Sequence, residues 1–306
     1  MQLRAMTSAD WPEVADLIHV STNHWYQSHG RAAIFAAPPQ HTTLFCEVYE
    51  DLDPGCCMLA VSEDTGRIAG SCFYHPRSTH ISLGIMNAHP NYAGQRVARQ
   101  LLEHIVAIAD RAQLPLRLVS SAVNLDSFSL YNRAGFVPRM LFQDMLLTVP
   151  REGLPYEVAG SARVRPATIA DAPRMAALER ELTGIEREKD YRYFLQNRAG
   201  IWHASVLESD AGGLDGFLVS VAHPASTMLG PGVMRDESHA APLILAELNH
   251  RRGCTPVWLA PCQCDKLVRQ LYAWGARNCE LHMAQCRGPW REPKGVVMPT
   301  FMPETG

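Results

Sequence analysis

Apolar and polar positions along the chain switch repeatedly between a two-residue and a three-to-four-residue period, which predicts short strands interleaved with amphipathic helices. The clearest switch lies in residues 80 to 103, HISLGIMNAHPNYAGQRVARQLLE. Ile81, Leu83, Ile85 and Met86 read as a strand, Pro90 and Asn91 stop it, and Val97, Leu101, Leu102 and Ile105 recur at helical spacing. The loop between them contains Gly94, which tolerates a positive φ, and Ala98, which permits close approach of a ligand. Free backbone N–H groups at a helix start, aided by the helix dipole, make this layout a candidate phosphate cradle.

Around this stretch the same reading predicts further elements. LRAMTSADWPEVADLI gives a short strand, Thr7 as N-cap, Asp10 closing a capping box, and a helix. Residues 21 to 45, with Trp25, Tyr26, Phe35 and a turn at Pro38-Pro39, supply a second helix and a loop. MLAVSED and RIAGSCFY form a hairpin about Thr65-Gly66. A helix over 98 to 112, a strand over 116 to 121, a helix over 125 to 134 and a final strand pair within 136 to 148 complete an α/β unit.

The pattern then recurs. VRPATIADAPRMAAL (164 to 178) is identical to LRAMTSADWPEVADL (3 to 17) at seven of fifteen positions, including the cap, which points to internal duplication. WHASVLESDAGGLDGFLVSV repeats the hairpin, and Leu271-Tyr272 followed by Gly275 echoes Leu130-Tyr131 and Gly135. The polar, Pro- and Gly-containing residues 151 to 160 read as a linker between units at 1 to 150 and 161 to 306.

Composition narrows the class. A chain of 306 residues, 47% hydrophobic and 19% charged, fits a globular protein of about two domains. A net charge of -3 without a basic run gives no nucleic-acid surface, and no apolar run is long enough for a membrane span, so a cytoplasmic protein is expected. Nine cysteines are expected as reduced thiols. Cys262-Gln-Cys264 lacks the two-residue spacing of common zinc sites, so no metal is expected.

The loop after the strand resembles the acetyl-CoA signature of the GNAT N-acetyltransferase superfamily, Q/R-x-x-G-x-G/A. Gly94 and Ala98 fit it, while Ala93 stands in place of Gln or Arg, and Arg96 in place of a glycine. Residues 116 to 136 resemble the family's next strand and helix, with Asn124, Leu130, Tyr131, Gly135 and Phe136 in the order N-x(6)-Y-x(3 or 4)-G-F. The chain as a whole resembles a tandem GNAT protein: α/β, two GNAT-like domains each with a mixed central sheet flanked by helices, the second degenerate.

The resemblance implies acyl transfer from acetyl-CoA to an amine of a small molecule or peptide. The pantetheine would lie between splayed strands against the backbone of Met86 and Ala88, with the pyrophosphate over Ala93, Gly94, Gln95, Arg96, Val97, Ala98 and Arg99. Asn124 and Ser127 would hold the lower cofactor, and Tyr131 would protonate the departing thiolate. Met86 and Asn87 stand where some relatives carry a glutamate, which leaves Glu47, Glu50, His75 and His80 as candidates for the base, with His80 taken as the catalytic partner. A non-catalytic acyl-CoA sensor is the alternative reading. Segments 21 to 45 and 73 to 80 hold no acidic residue, which favours a neutral or carboxylate-bearing amine over a polyamine. In the second unit Asp236 and Glu237 precede the helix that should carry the phosphate loop, and predict a lost cofactor site. A displaced cradle at Gly230 and Gly232 is the other possibility.

Overall fold

Among the described residues, one mixed sheet of thirteen strands runs through both units of the duplicated chain. The computed structural model describes residues 1–303. The first unit contains β1 (Gln2–Ala5), α1 (Trp11–Ser28), α2 (Thr43–Leu52), β2 (Cys57–Val61), β3 (Ile68–Pro76), β4 (Ile81–Ala88), α3 (Val97–Ala112), β5 (Leu116–Ser121), α4 (Leu125–Arg133) and β6 (Val137–Leu146). The second contains β7 (Val164–Pro166), α5 (Ala172–Thr183), α6 (Glu188–Gln196), β8 (Trp202–Glu208), β9 (Leu214–His223), β10 (Ser226–Met234), α7 (Glu237–His250), β11 (Val257–Pro261), α8 (Asp265–Ala273), β12 (Arg277–Arg287) and β13 (Val296–Met298). No helix among the described residues is long and apolar enough to cross a membrane.

The duplication is visible in the first turn of each unit. Thr7 and Asp10 form a capping box, as do Thr168 and Asp171. An arginine from the preceding strand clamps each aspartate bidentately, Arg4 on Asp10 at 2.7 and 2.8 Å and Arg165 on Asp171 at 2.8 Å. Thus a strand, a cap and a helix are fixed relative to each other by one ion pair in each copy.

Strand order corrects one expectation. The sheet runs β1-β2-β3-β4-β5-β12-β6-β11-β10-β9-β8-β7, with β13 paired to β10. Residues 136 to 148 therefore hold not a strand pair but the single strand β6, whose two neighbours, β12 and β11, both come from the second unit. The units exchange a strand each: β12 of the second lies beside β5, and β6 of the first lies beside β11.

The helices cover both faces. Val14 and Ile18 of α1 and Phe45 and Tyr49 of α2 bury against Leu59, Phe73 and Phe142 on one face. Val97, Leu101 and Ile105 of α3 pack with Leu116, Leu118 and Tyr131 on the other. Each fully buried large apolar side chain contributes about 1.5–3 kcal/mol, which is how the amphipathic stripes dictate these faces.

Candidate active site

β4 and β5 are parallel neighbours, yet their register holds only at Ile81↔Leu116 and Ser82↔Arg117. Beyond that point they diverge. On its other edge β4 carries a bulge, because three steps from Leu83 to Met86 face two steps from Tyr74 to Cys72 on β3. The extra residue strengthens the local twist and turns the end of β4 away from β5. A cavity of about 550 Å³ opens in the gap, of a size suited to a small ligand. Leu83 to Asn87 on β4, Leu118 to Ser121 on β5 and Tyr131 on α4 all line it.

Residues 89–96 connect β4 to α3. Gly94 has φ 79° and Arg96, the N-cap of α3, has φ 60° and ψ 24°. Arg96 thus takes a left-handed backbone conformation that glycine adopts freely, at a cost of about 1–2 kcal/mol. No side chain caps α3. Its first helical bond runs from Gln100 N–H to Arg96 O at 3.0 Å, so Val97, Ala98 and Arg99 present N–H groups without intrahelical acceptors. The exposed Arg99 side chain pairs with Glu103 at 2.7 Å, and Gln95 N–H returns to Tyr92 O at 3.2 Å, which tightens the turn that follows Ala93.

Other predicted residues fall at the rim and floor. Met86 lies opposite Cys72 and Ala88 opposite Gly70 on β3, which leaves their other edge toward the gap. Asn124 caps α4 by accepting from Ser127 N–H at 3.0 Å, so these two are engaged with each other. Tyr131 is 7% exposed, with its ring 5.7 Å from that of Phe136.

The four base candidates lie elsewhere, and none lines the cavity. His80 immediately precedes Ile81, where β4 and β5 are still paired, so it sits at the closed end of the gap. It is buried, with Nδ1 3.0 Å from Thr79 Oγ1 and Nε2 3.1 Å from Ser82 Oγ. Burial, reinforced by Arg117, Arg187 and Arg77, holds its basicity well below the ordinary value. His75 is likewise buried and bound to Asp53 at 2.7 Å. Glu50 accepts from Gly55 N–H at 3.0 Å, while Glu47 is exposed on α2.

The groups that do face the cavity come largely from the exchanged strands. Glu280 on β12 accepts from Tyr26 at 2.7 Å and Ser121 at 2.5 Å and pairs with Arg31 at 3.1 Å. His282, two residues on, has Nδ1 2.9 Å from Asp144 of β6. Phe301 stacks obliquely on His282, with ring centres 4.5 Å apart. Residues 224–228 of the second unit complete the wall opposite Phe35 and Phe45. No motif marks these residues; only the strand exchange brings them here.

The Acetyltransferase (GNAT) family description matches residues 13–136, the span that contains both the splayed strands and Tyr131. That part of the first unit is similar to GNAT acetyltransferase domains. The family moves acyl groups from acyl-CoA, and the open edge of β4, the left-handed Gly94 and the uncapped start of α3 fit such a donor. The whole chain is similar in fold to a putative acetyltransferase from Pyrococcus horikoshii, at 14% identity and TM-score 0.74, with 99% of this chain and 95% of that one covered. A GCN5-related N-acetyltransferase from Sphaerobacter thermophilus is similar at 18% identity and TM-score 0.64, covering 96% and 98%. A tandem GNAT protein from the clavulanic acid biosynthesis pathway is similar at 15% identity and TM-score 0.62, covering 95% and 99%. No curated protein matches the sequence.

The second unit keeps the framework but fills the corresponding gap with its own chain. β10 and β11 are paired only at Met228↔Val257 and Leu229↔Trp258, and β10 bulges between Leu229 and Gly232 as β4 does between Leu83 and Met86. Here, however, β13 pairs with Gly232, Val233 and Met234 and occupies the gap. Gly230 and Gly232 lie inside β10, and a Cβ on Gly230 would meet Pro299 O at 2.7 Å, so they form no displaced cradle. Only Arg235 and Asp236 separate β10 from α7, and Asp236 caps that helix by accepting from Ser238 N–H at 2.8 Å and His239 N–H at 3.2 Å. The tyrosine echo also shifts. Leu271 O accepts from Ala276 N–H at 3.1 Å just as Tyr131 O accepts from Phe136 N–H at 3.1 Å, so leucine is the counterpart of Tyr131. Tyr272 points outward and donates to Gln143.

Proposed function

We propose that the protein transfers the acetyl group of acetyl-CoA to a primary amine of a small molecule or peptide, with residues 1–150 supplying the donor site and residues 161–306 the wall of the acceptor pocket. The observation that carries this reading is the divergence of β4 and β5 above Ser82, with Tyr131 at the gap and the start of α3 left uncapped. An extended pantetheine arm replaces the missing strand pairing along Met86 and Ala88. The free backbone N–H groups of Val97, Ala98 and Arg99 face the pyrophosphate, and Arg96 and Arg99 add positive charge. Tyr131 donates its proton to the sulfur as the thioester C–S bond breaks.

The acceptor enters from the α1–α2 face, where Phe35, Phe45 and Phe301 favour an apolar body. Segments 21–45 and 73–80 bring no acid to this face, but Glu280 and Asp144 do, and Arg31 offsets the first of them. A monoamine suits this balance better than a polyamine. The test is release of CoA from acetyl-CoA with phenethylamine, hexylamine, phenylalanine and an alanyl-phenylalanine dipeptide. Turnover with at least one supports the transferase. Tight acetyl-CoA binding without release of CoA to any amine supports the sensor instead.

A further inference from the structure

An amine acceptor arrives as an ammonium ion and must lose a proton before it attacks. Six proton-exchanging side chains line the cavity: Tyr26, Tyr131, Asp144, Cys279, Glu280 and His282. Glu280 already holds three partners, Tyr26, Ser121 and Arg31. Tyr26 donates to Glu280, and burial together with that carboxylate pushes its phenol far up. Cys279 donates to Asp144 O at 3.3 Å, and burial pushes its thiol up to about 11. Tyr131 lies on the α4 side with the donor. Asp144 has both oxygens turned to His282, at 2.9 Å each.

His282 remains. Its Nδ1 faces a carboxylate, which fixes the Nδ1–H tautomer and leaves a lone pair on Nε2. Nε2 has no hydrogen-bond partner among the described residues. The ring is held on one side by Phe301 and lies on the same strand face as Ser121, its register partner on β5. That face is the α1–α2 side, across the gap from α4, so His282 and Tyr131 reach the reacting carbon from opposite sides of the sheet.

We propose that His282 is the general base of the first unit's active site and Asp144 its positioning residue. The inference rests on the acyl-transfer reading above. One ammonium proton passes to His282 Nε2 and on to solvent. The freed amine nitrogen bonds to the thioester carbon as the C–S bond breaks, and the Tyr131 hydroxyl proton goes to sulfur. The new amide nitrogen then gives up a second proton, which restores the phenol. The second unit, without a donor site of its own, thus completes the first by lending β12. Charged and titratable groups around His282 are Asp144 from β6, Glu280 and Cys279 from β12, Tyr26 from α1 and Arg31 beyond it.

The test compares wild type, His282→Gln and Asp144→Asn, with acetyl-CoA and the amine panel, from about pH 6 to about pH 10, alongside acetyl-CoA affinity. His282→Gln is expected to lose about 100-fold or more in kcat/KM near neutrality. Its rate then climbs with pH toward the ammonium's own ionisation, about 10.4 for an alkylamine and about 8 for the dipeptide, because only free amine reacts, while the wild-type rate levels off earlier. Asp144→Asn lowers the plateau, because the imidazole loses the carboxylate that fixes its tautomer. Acetyl-CoA affinity stays unchanged in both. A His282→Gln profile that matches wild type, or that is lowered in parallel at every pH together with acetyl-CoA affinity, overturns the proposal. Wild type that binds acetyl-CoA but acylates no amine overturns the transferase reading and this inference with it.

Discussion

The two halves contain the same gap in two states. Both have a bulged strand that parts from its parallel neighbour after two paired residues, at Ser82 in one and Leu229 in the other. In the first the gap is open, bordered by a long loop and an uncapped helix. In the second the chain closes it with β13, shortens the loop to Arg235 and Asp236, caps α7 with Asp236 and puts Leu271 where Tyr131 stands. Open backbone edges and free helix N–H groups need partners. In the second half these groups are satisfied by the chain itself, through β13 and Asp236.

The largest effect should separate the two helices that follow the gaps. Tyr131→Phe is expected to lower kcat by about 10 to 1000-fold with little change in the acetyl-CoA Kd, as loss of a general acid should. If turnover is unchanged, Tyr131 is as inert as Leu271 and the contrast between the halves collapses.

Glycines of the two gaps should fail in different ways. Nothing lies within 4 Å of a Cβ added at Gly94, so Gly94→Val meets no clash and its strain comes from the positive φ alone. Its positive φ then costs about 1–2 kcal/mol in the cradle conformation, which weakens acetyl-CoA binding roughly 5- to 30-fold. A Cβ on Gly232 would meet Leu218 Cδ1 at 2.6 Å and Phe217 O at 3.1 Å. Gly232→Val is therefore expected to lower stability by about 1–3 kcal/mol through overpacking and to leave binding intact. Calorimetry and thermal unfolding of the pair check this; the reverse pattern would place the cradle in the second half.

The smallest effect compares the duplicated caps. Arg4 holds the Asp10 carboxyl well below its usual range, and Arg165 does the same for Asp171. Each depressed carboxyl adds stability that is complete above the unfolded value of about 3.9 and is lost as pH falls below it. Asp171 is the more buried, 3% against 14%, and it also binds Arg174. Asp171→Asn should cost about 1–2 kcal/mol at pH 7, and Asp10→Asn less, with both differences from wild type shrinking in acid. Equal losses, or losses that grow in acid, in denaturant unfolding would contradict this.

Local periodicity made much of the first half legible. β5 occupies 116–121, as alternation predicts, and α3 begins one residue before the expected 98 because Val97 already buries with Leu101. Strand exchange was not legible, because β6 and β12 have ordinary alternation and nothing in that pattern names the neighbouring strand. The pairing is decided by which buried residues meet, such as Phe142 against His282 and Met140 against Ala284. The same exchange hid His282 and Asp144, which lie far apart in sequence and become neighbours only across β6 and β12. His80 misled because it adjoins the correct strand but at the end where the gap is closed. The tyrosine echo misled by one position, since Gly275 follows Tyr272 at a shorter spacing than Gly135 follows Tyr131.

The claim that one half binds the donor and the other has closed over its site is tested most directly by calorimetric titration of the full chain with acetyl-CoA. A single site per chain, lost or weakened by Gly94→Val and retained by Gly232→Val, is the predicted result. Two equivalent sites, or a site that survives Gly94→Val and disappears with Gly232→Val, would contradict it.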